Sequence, residues 1–167
     1  MTGIKGLTKE QYVWVGVRLG LGWIFLWAFL DKMFGLGYAT AAENSWINGG
    51  SPTTGFLTYA TAGPLSGVYE SLAGNVAVDA LFMGALLLLG AALILGIANG
   101  IAGYGGALLM LLMWSSRLPP ENNPLIDEHI IYLIMLIGVS FVQPGKWLGL
   151  GKWWSGQSIV RRFPILE

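Results

Sequence analysis

The stretch ENNPLIDEHIIY, residues 121–132, holds the chain's only histidine, His129, and three of its nine acidic residues. It lies between two of the most apolar runs in the sequence. An imidazole beside the phenol of Tyr132 is equipped to exchange protons or to hydrogen-bond a quinone carbonyl. The same residues also admit a packing role, as a hydrogen-bond seam between helices. Two further charges stand out: Arg18, nearly two turns inside the first apolar run, and Lys32 at its end. Burying an arginine at mid-membrane depth costs about 2.5–3.5 kcal/mol on insertion scales. Arg18 is therefore expected to face the protein interior or a polar cavity, the alternative being a side chain that snorkels to headgroups.

The chain's 167 residues suit a single domain spanning 1–167; they are 54% hydrophobic and only 11% charged. Soluble domains carry about 25% charged residues. With a mean hydropathy of +0.63, the composition reads as an integral membrane protein. The net charge is zero, and no basic cluster with interleaved aromatics points to nucleic acid. There is no cysteine, which excludes disulfides, thiolate nucleophiles and iron–sulfur ligation by this chain. One histidine excludes a bis-histidine haem within the chain. No bound haem, flavin, iron–sulfur cluster or metal is expected, so redox chemistry would use a diffusible acceptor or a partner's centre. The first apolar run is too long for a cleavable signal, contains Arg18 and lacks a small-residue cleavage site.

Four apolar runs, about 12–34, 78–98, 101–116 and 126–142, predict an all-α, four-helix membrane bundle. The first covers roughly 34 Å at about 1.5 Å per residue. The last two are short for a span. Asn99–Gly100 is expected to form the tight turn between the second and third. Gly16–Gly20 and Gly96–Gly100 have the spacing of close helix–helix contacts. With four spans, Lys5, Lys9, Lys146, Lys152, Arg161 and Arg162 share one side, which the positive-inside rule makes cytoplasmic, with both termini. Trp147, Trp153 and Trp154 suit an interfacial anchor beside those lysines. The long loop, about 37–77, falls on the outer side. Ser51-Pro52 and Gly63-Pro64 predict two short helices in it, lying as a cap over the bundle. Leu65, Val68, Tyr69 and Leu72 mark one apolar face of the second.

On the first helix, Trp14, Arg18, Gly22, Phe25, Phe29 and Lys32 fall near one line, with Arg18 and Lys32 about 21 Å apart. Asp31 points elsewhere and is free to pair with another helix. Asp79, one turn after Asn75, is either a cap-type acid or a partner for Lys32 or Arg117. Asn123 and Pro124 suit the start of the fourth helix, and Asp127 and Glu128 its positive dipole end. Down that helix, His129, Tyr132, Leu136, Ser140 and Gln143 form a largely polar stripe that should face inward. At the outer surface, Lys32, Arg117 and protonated His129 are the cations available to a small anion.

RLGLGWIFLWAFLDKMFGLGYAT (18–40), WINGGSPTTGFL (46–57), LPPENNPLIDEHIIY (118–132) and LGLGKWW (148–154), in that order, cover nearly the whole chain. Together they resemble the DoxD family within the DoxX superfamily, the membrane subunit of thiosulfate:quinone oxidoreductase. The family's early arginine and late lysine in the first helix fall on Arg18 and Lys32. The resemblance implies an archaeal or bacterial cell-membrane protein that passes electrons from thiosulfate, forming tetrathionate, to membrane quinone. It implies a second small subunit, DoxA-like, as partner beside the lipid bilayer; a homo-oligomer is also open. On this reading Lys32, His129 and Tyr132 are the catalytic candidates, Lys32 and Arg117 meet the anion, and Arg18, Phe25, Phe29, His129 and Tyr132 line a quinone slot or a buried polar seam. Asp31, Asp79, Asn123, Asp127, Glu128, Ser140 and Gln143 are structural polar residues. Two other readings stand beside it: a non-catalytic membrane anchor or assembly subunit, and a transporter of small anions or lipids.

Overall fold

A computed structural model describes residues 6–167; Lys5, used above for orientation, lies outside them. Helix is the regular secondary structure of the described residues, which form no strand beyond one isolated bridge. Four long helices dominate: α1 (Lys9–Phe34), α4 (Val76–Leu95), α5 (Asn99–Ser115) and α6 (Glu128–Val142). Between α1 and α4 lie α2 (Thr54–Tyr59) and α3 (Ser66–Glu70); after α6 come α7 (Gly151–Ser155) and α8 (Ser158–Arg162). Two of the helices, α1 and α4, are long and apolar enough to cross a membrane, and α6 is a shorter apolar helix.

Helix ends follow capping chemistry more closely than they follow the apolar runs. α1 begins with a capping box between Thr8 and Gln11, three residues before the run itself. Asn75 caps α4, accepting from the Ala77 and Val78 amides. α4 stops at Gly96, whose φ of 72° is left-handed, so the apolar run to residue 98 is not all helix. The turn into α5 is therefore Gly96–Ala98, and Asn99 opens the helix instead of forming the turn.

α1 packs on α4, α5 on α6, and contacts of α4 with α5 and α1 with α6 close the ring. Their shared core includes Leu21, Phe25, Phe29, Met83, Leu86, Leu93, Leu136 and Val139. The expected glycine pairs are not what lets the helices approach. Gly16 and Gly20 have no neighbour within 4 Å of the place a Cβ would occupy. The close approaches lie at Gly22, where a Cβ would stand 2.9 Å from that of Leu93, and at Gly90, where it would stand 2.7 Å from the Leu26 backbone nitrogen. Gly103 and Gly106 admit Ser140 and Leu136 of α6, and Gly138 admits the Trp14 indole. Gly96 is crowded as well, by Gly145 and Arg18, but as a helix terminus and not as half of a helix–helix pair.

The loop 37–77 contains α2 and α3, each starting later than the prolines suggest. Ser51 Oγ accepts from the Thr54 amide at 3.1 Å, so Pro52 sits in a turn before α2. Trp46 and Leu57 turn toward the interior. The Leu65, Val68 and Leu72 face of the α3 region is exposed instead of covering the bundle. Attachment there comes from the Tyr69 hydroxyl, bonded to the Leu112 carbonyl (3.1 Å) and Ser115 Oγ (2.6 Å). At the opposite end, residues 143–167 fold back over the α4–α5 turn. The Leu150 amide donates to Leu95 O, the Gly100 amide to Glu167 O, and Trp154 Nε1 to Leu166 O.

Candidate functional site

Two connections meet at the end of the molecule remote from the α4–α5 turn. The Ala62 amide donates to Ser116 O at 2.8 Å, and Ala62 pairs with Arg117 in the single bridge. Trp114 Nε1 donates to Leu125 O at 3.0 Å, folding the α5–α6 connector back on α5. Between the two connections opens a pocket of about 400 Å³. Its polar lining comes from Arg117, Glu121, Asn122, Asn123, Asp127, Glu128 and His129.

The start of α6 places these side chains, and it differs from expectation. Asn123 does not cap the helix, and Pro124 is not its first residue. Asn123 Oδ1 accepts from the Leu125 and Ile126 amides, each at 3.0 Å, in a turn of its own. Asp127 is the cap: its Oδ1 accepts from the amides of His129 (3.0 Å) and Ile130 (3.3 Å). Its second oxygen, Oδ2, lies 2.9 Å from His129 Nδ1. His129 is half-buried, as is Asp127. Glu128 is exposed in the first turn, where the helix dipole favours a negative charge.

The stripe below His129 faces inward, as expected. Tyr132 packs against the core, Leu136 is fully buried, and Ser140 Oγ donates to Gly100 O and Leu136 O. Gln143 ends α6 in the left-handed region. Of the residues assigned to catalysis, only His129 lines the pocket. Tyr132 lies one turn deeper, and Lys32 is half-buried at the end of α1, outside the lining. Arg117 is exposed at the rim.

The residues assigned to a quinone slot on α1 are packed. Phe25 and Phe29 are core side chains. Arg18 is 1% exposed and grips backbone. Its Nη1 donates to Leu93 O and Ile94 O, and its Nη2 to Leu148 O at 2.7 Å. A guanidinium on the last carbonyls of α4 satisfies acceptors that the helix itself leaves open, at its negative dipole end. Arg18 thus faces the interior, as expected, with its guanidinium on packed backbone and not on a cavity.

The two buried acids have similar work. Among the described residues Asp31 pairs with no other helix: its oxygens accept from the Tyr38 (3.2 Å) and Ala39 (2.9 Å) amides just beyond its own helix. Asp79 Oδ1 accepts from Ser51 Oγ (2.9 Å), Thr53 Oγ1 (2.5 Å) and the Thr53 amide (3.3 Å). It holds the loop to α4 and is bonded to neither Lys32 nor Arg117.

Ligand atoms of Asp127, Glu128 and His129 lie within 4.8 Å of one another, a spacing compatible with a cation. Asp127 already spends one oxygen on the helix start and the other on His129, so no metal ligands are assigned here. Sequence reasoning missed the pocket's connector residues, Asn122 and the Pro119–Pro120 pair, and the Asp127–His129 contact. The D-x-H spacing at a helix start was the available signal for that contact, because an N-cap carboxylate lies beside the residue two positions on.

No family model, curated protein or solved structure matches this chain.

Proposed function

We propose that the chain is a four-helix membrane protein, DoxD-like, that serves a thiosulfate:quinone oxidoreductase at its quinone-reducing end. The observation that carries this is the pocket holding His129 and Arg117 at one end of a helical body with apolar flanks. Its volume of about 400 Å³ falls in the range of small-ligand sites. Three carboxylates against one guanidinium make the lining unsuited to hold a dianion and usable for a neutral carbonyl ligand. The sulfur dianion then approaches Arg117 at the rim, with Lys32 and a DoxA-like subunit completing its site. Two thiosulfates joined by a new S–S bond release two electrons, and a quinone takes these up with two protons to give the quinol.

Membrane residence rests on the outward faces of the long helices. Leu81 and Leu88 of α4 are 75% and 70% exposed on a helix of mean hydropathy 2.4. Such a surface is stable against lipid and not against water. With four spans, residues 143–167 and the α4–α5 turn lie on the cytoplasmic side and the pocket on the outer side.

The test is quinone reduction by purified protein, with and without its partner subunit, on addition of thiosulfate and a short-chain quinone. Turnover that depends on both substrates supports the proposal; none in either state rejects it. The anchor reading is favoured by one observation, that Arg18, Phe25 and Phe29 are consumed by packing. Full activity of the complex after Lys32→Ala and His129→Ala together would establish it. Engagement of Arg18 by carbonyls removes the pair of open cations that motivated an anion transporter.

A further inference from the structure

We infer that Asp127 is a positioning residue that fixes His129 in one tautomer, Nδ1–H, and so leaves Nε2 as the proton-exchanging nitrogen of the pocket. The inference rests on the proposed quinone chemistry for its purpose, but not for its geometry. Asp127 Oδ2 stands 2.9 Å from His129 Nδ1, and an ionised carboxylate accepts only. The proton of a neutral imidazole must then sit on Nδ1, and Nε2 carries the lone pair.

Asp127 cannot swing away to relax this contact. Its other oxygen is held by the His129 and Ile130 amides, so the carboxylate is pinned by the helix it caps. Nε2 has no hydrogen-bond partner among the described residues, and the ring lines the pocket. Other charged groups around the pocket are Arg117 and Glu121 from the connector and Glu128 on α6 itself. The Ala60 and Ala62 side contributes no titratable group.

In use, Nε2 takes a proton from solvent while Asp127 Oδ2 holds Nδ1–H, and Nε2–H donates to the carbonyl oxygen of a quinone receiving electrons. The ring returns to the Nδ1–H form and is recharged from solvent. Each cycle of the ring delivers one proton, so two cycles accompany one quinone.

Because His129 is the chain's only histidine, ring-¹⁵N NMR of this chain in micelles reads this tautomer without assignment. Wild type in its neutral form is expected to show a protonated Nδ1 and a bare Nε2. In Asp127→Asn the amide still caps α6, but its NH₂ donates to Nδ1 and drives the proton to Nε2. Asp127→Ser keeps a capping oxygen, removes the tether and is expected to lose the Nδ1–H preference. An Nε2–H tautomer in wild type, or an unchanged tautomer in Asp127→Asn, overturns the inference. Where wild type turns over, Asp127→Asn should lower kcat at least tenfold with little change in the quinone KM. An unchanged kcat overturns the proton-exchange role even if the tautomer flips. Absence of wild-type turnover rejects the function proposal alone, since the NMR result stands apart from it.

Discussion

Arg18 shows what a single charge does when its partners are all backbone. It binds carbonyls of Leu93, Ile94 and Leu148, far from it in sequence. Removing it strands acceptors in a buried site, at a cost of about 1–3 kcal/mol or more. Arg18→Ala should therefore lower the melting temperature in detergent markedly, with Arg18→Lys intermediate, because an ammonium lacks the planar fork. Unchanged melting of Arg18→Ala would contradict the bonding described. Asp79→Ala should cost a comparable amount, since it frees Ser51 and Thr53 together. Limited proteolysis should then cut the loop near residues 49–53 faster than in wild type. The inward direction of Arg18 was legible in the sequence, because a charge so deep in an apolar run must find polar company. Its partners were not, since carbonyls carry no residue-type signature.

Among the helices, glycine position separates contact from coincidence. Gly90→Ala places a methyl against the Leu26 backbone, which cannot rotate aside, and is expected to destabilise by about 1–3 kcal/mol. Gly16→Ala and Gly20→Ala meet nothing and should be neutral or stabilising by up to about 1 kcal/mol, through helix propensity. Thermal unfolding of the three variants side by side checks the ranking. Spacing alone favoured Gly16–Gly20 and Gly96–Gly100, but the pairing depends on which face of α1 meets α4, a property of two helices at once. The inward stripe of α6 was legible because four of its five side chains are polar in an apolar helix. Its start was misplaced by four residues, since Asn123–Pro124 carries the usual signature and Asp127 outcompetes it by bonding two amides and an imidazole.

For the whole molecule, the number and order of the long helices were readable from apolar runs, while the fold-back of residues 143–167 was not, because short helices in a Gly- and Trp-rich tail have no periodicity to detect. That fold-back contains a pH-sensitive tie. Lys146 Nζ lies 2.6 Å from Glu167 Oε1, which also accepts from Ser155 Oγ at 2.6 Å. The Lys146 and Ser155 hydrogen bonds hold the Glu167 carboxyl below its ordinary value, against a smaller opposing effect of burial. A depressed folded pKa stabilises above the unfolded value and loses that contribution as pH falls through the folded one. Wild type should thus melt above Glu167→Gln at neutral pH, and the gap should close on acidification below the ordinary glutamate range. The chain lacks cysteine, so topology can be read with single introduced thiols. On the proposed four-span topology, Asn122→Cys in intact cells should react with an impermeant maleimide and Arg161→Cys only after permeabilisation, with Leu88→Cys unreactive in both. Labelling of Leu88→Cys in the bilayer would reject the membrane proposal.

The Arg18 clasp also sets an order of events during synthesis. On the proposed membrane reading, α1 leaves the ribosome long before Leu148, so its arginine would enter the bilayer without one of its acceptors. Until residue 148 follows, such a charge must be sheltered by water, headgroups or an insertion factor. A nascent chain halted before residue 148 should then hold α1 less securely in the bilayer than one that extends through it, the segment after α6 acting as a clasp on the first helix.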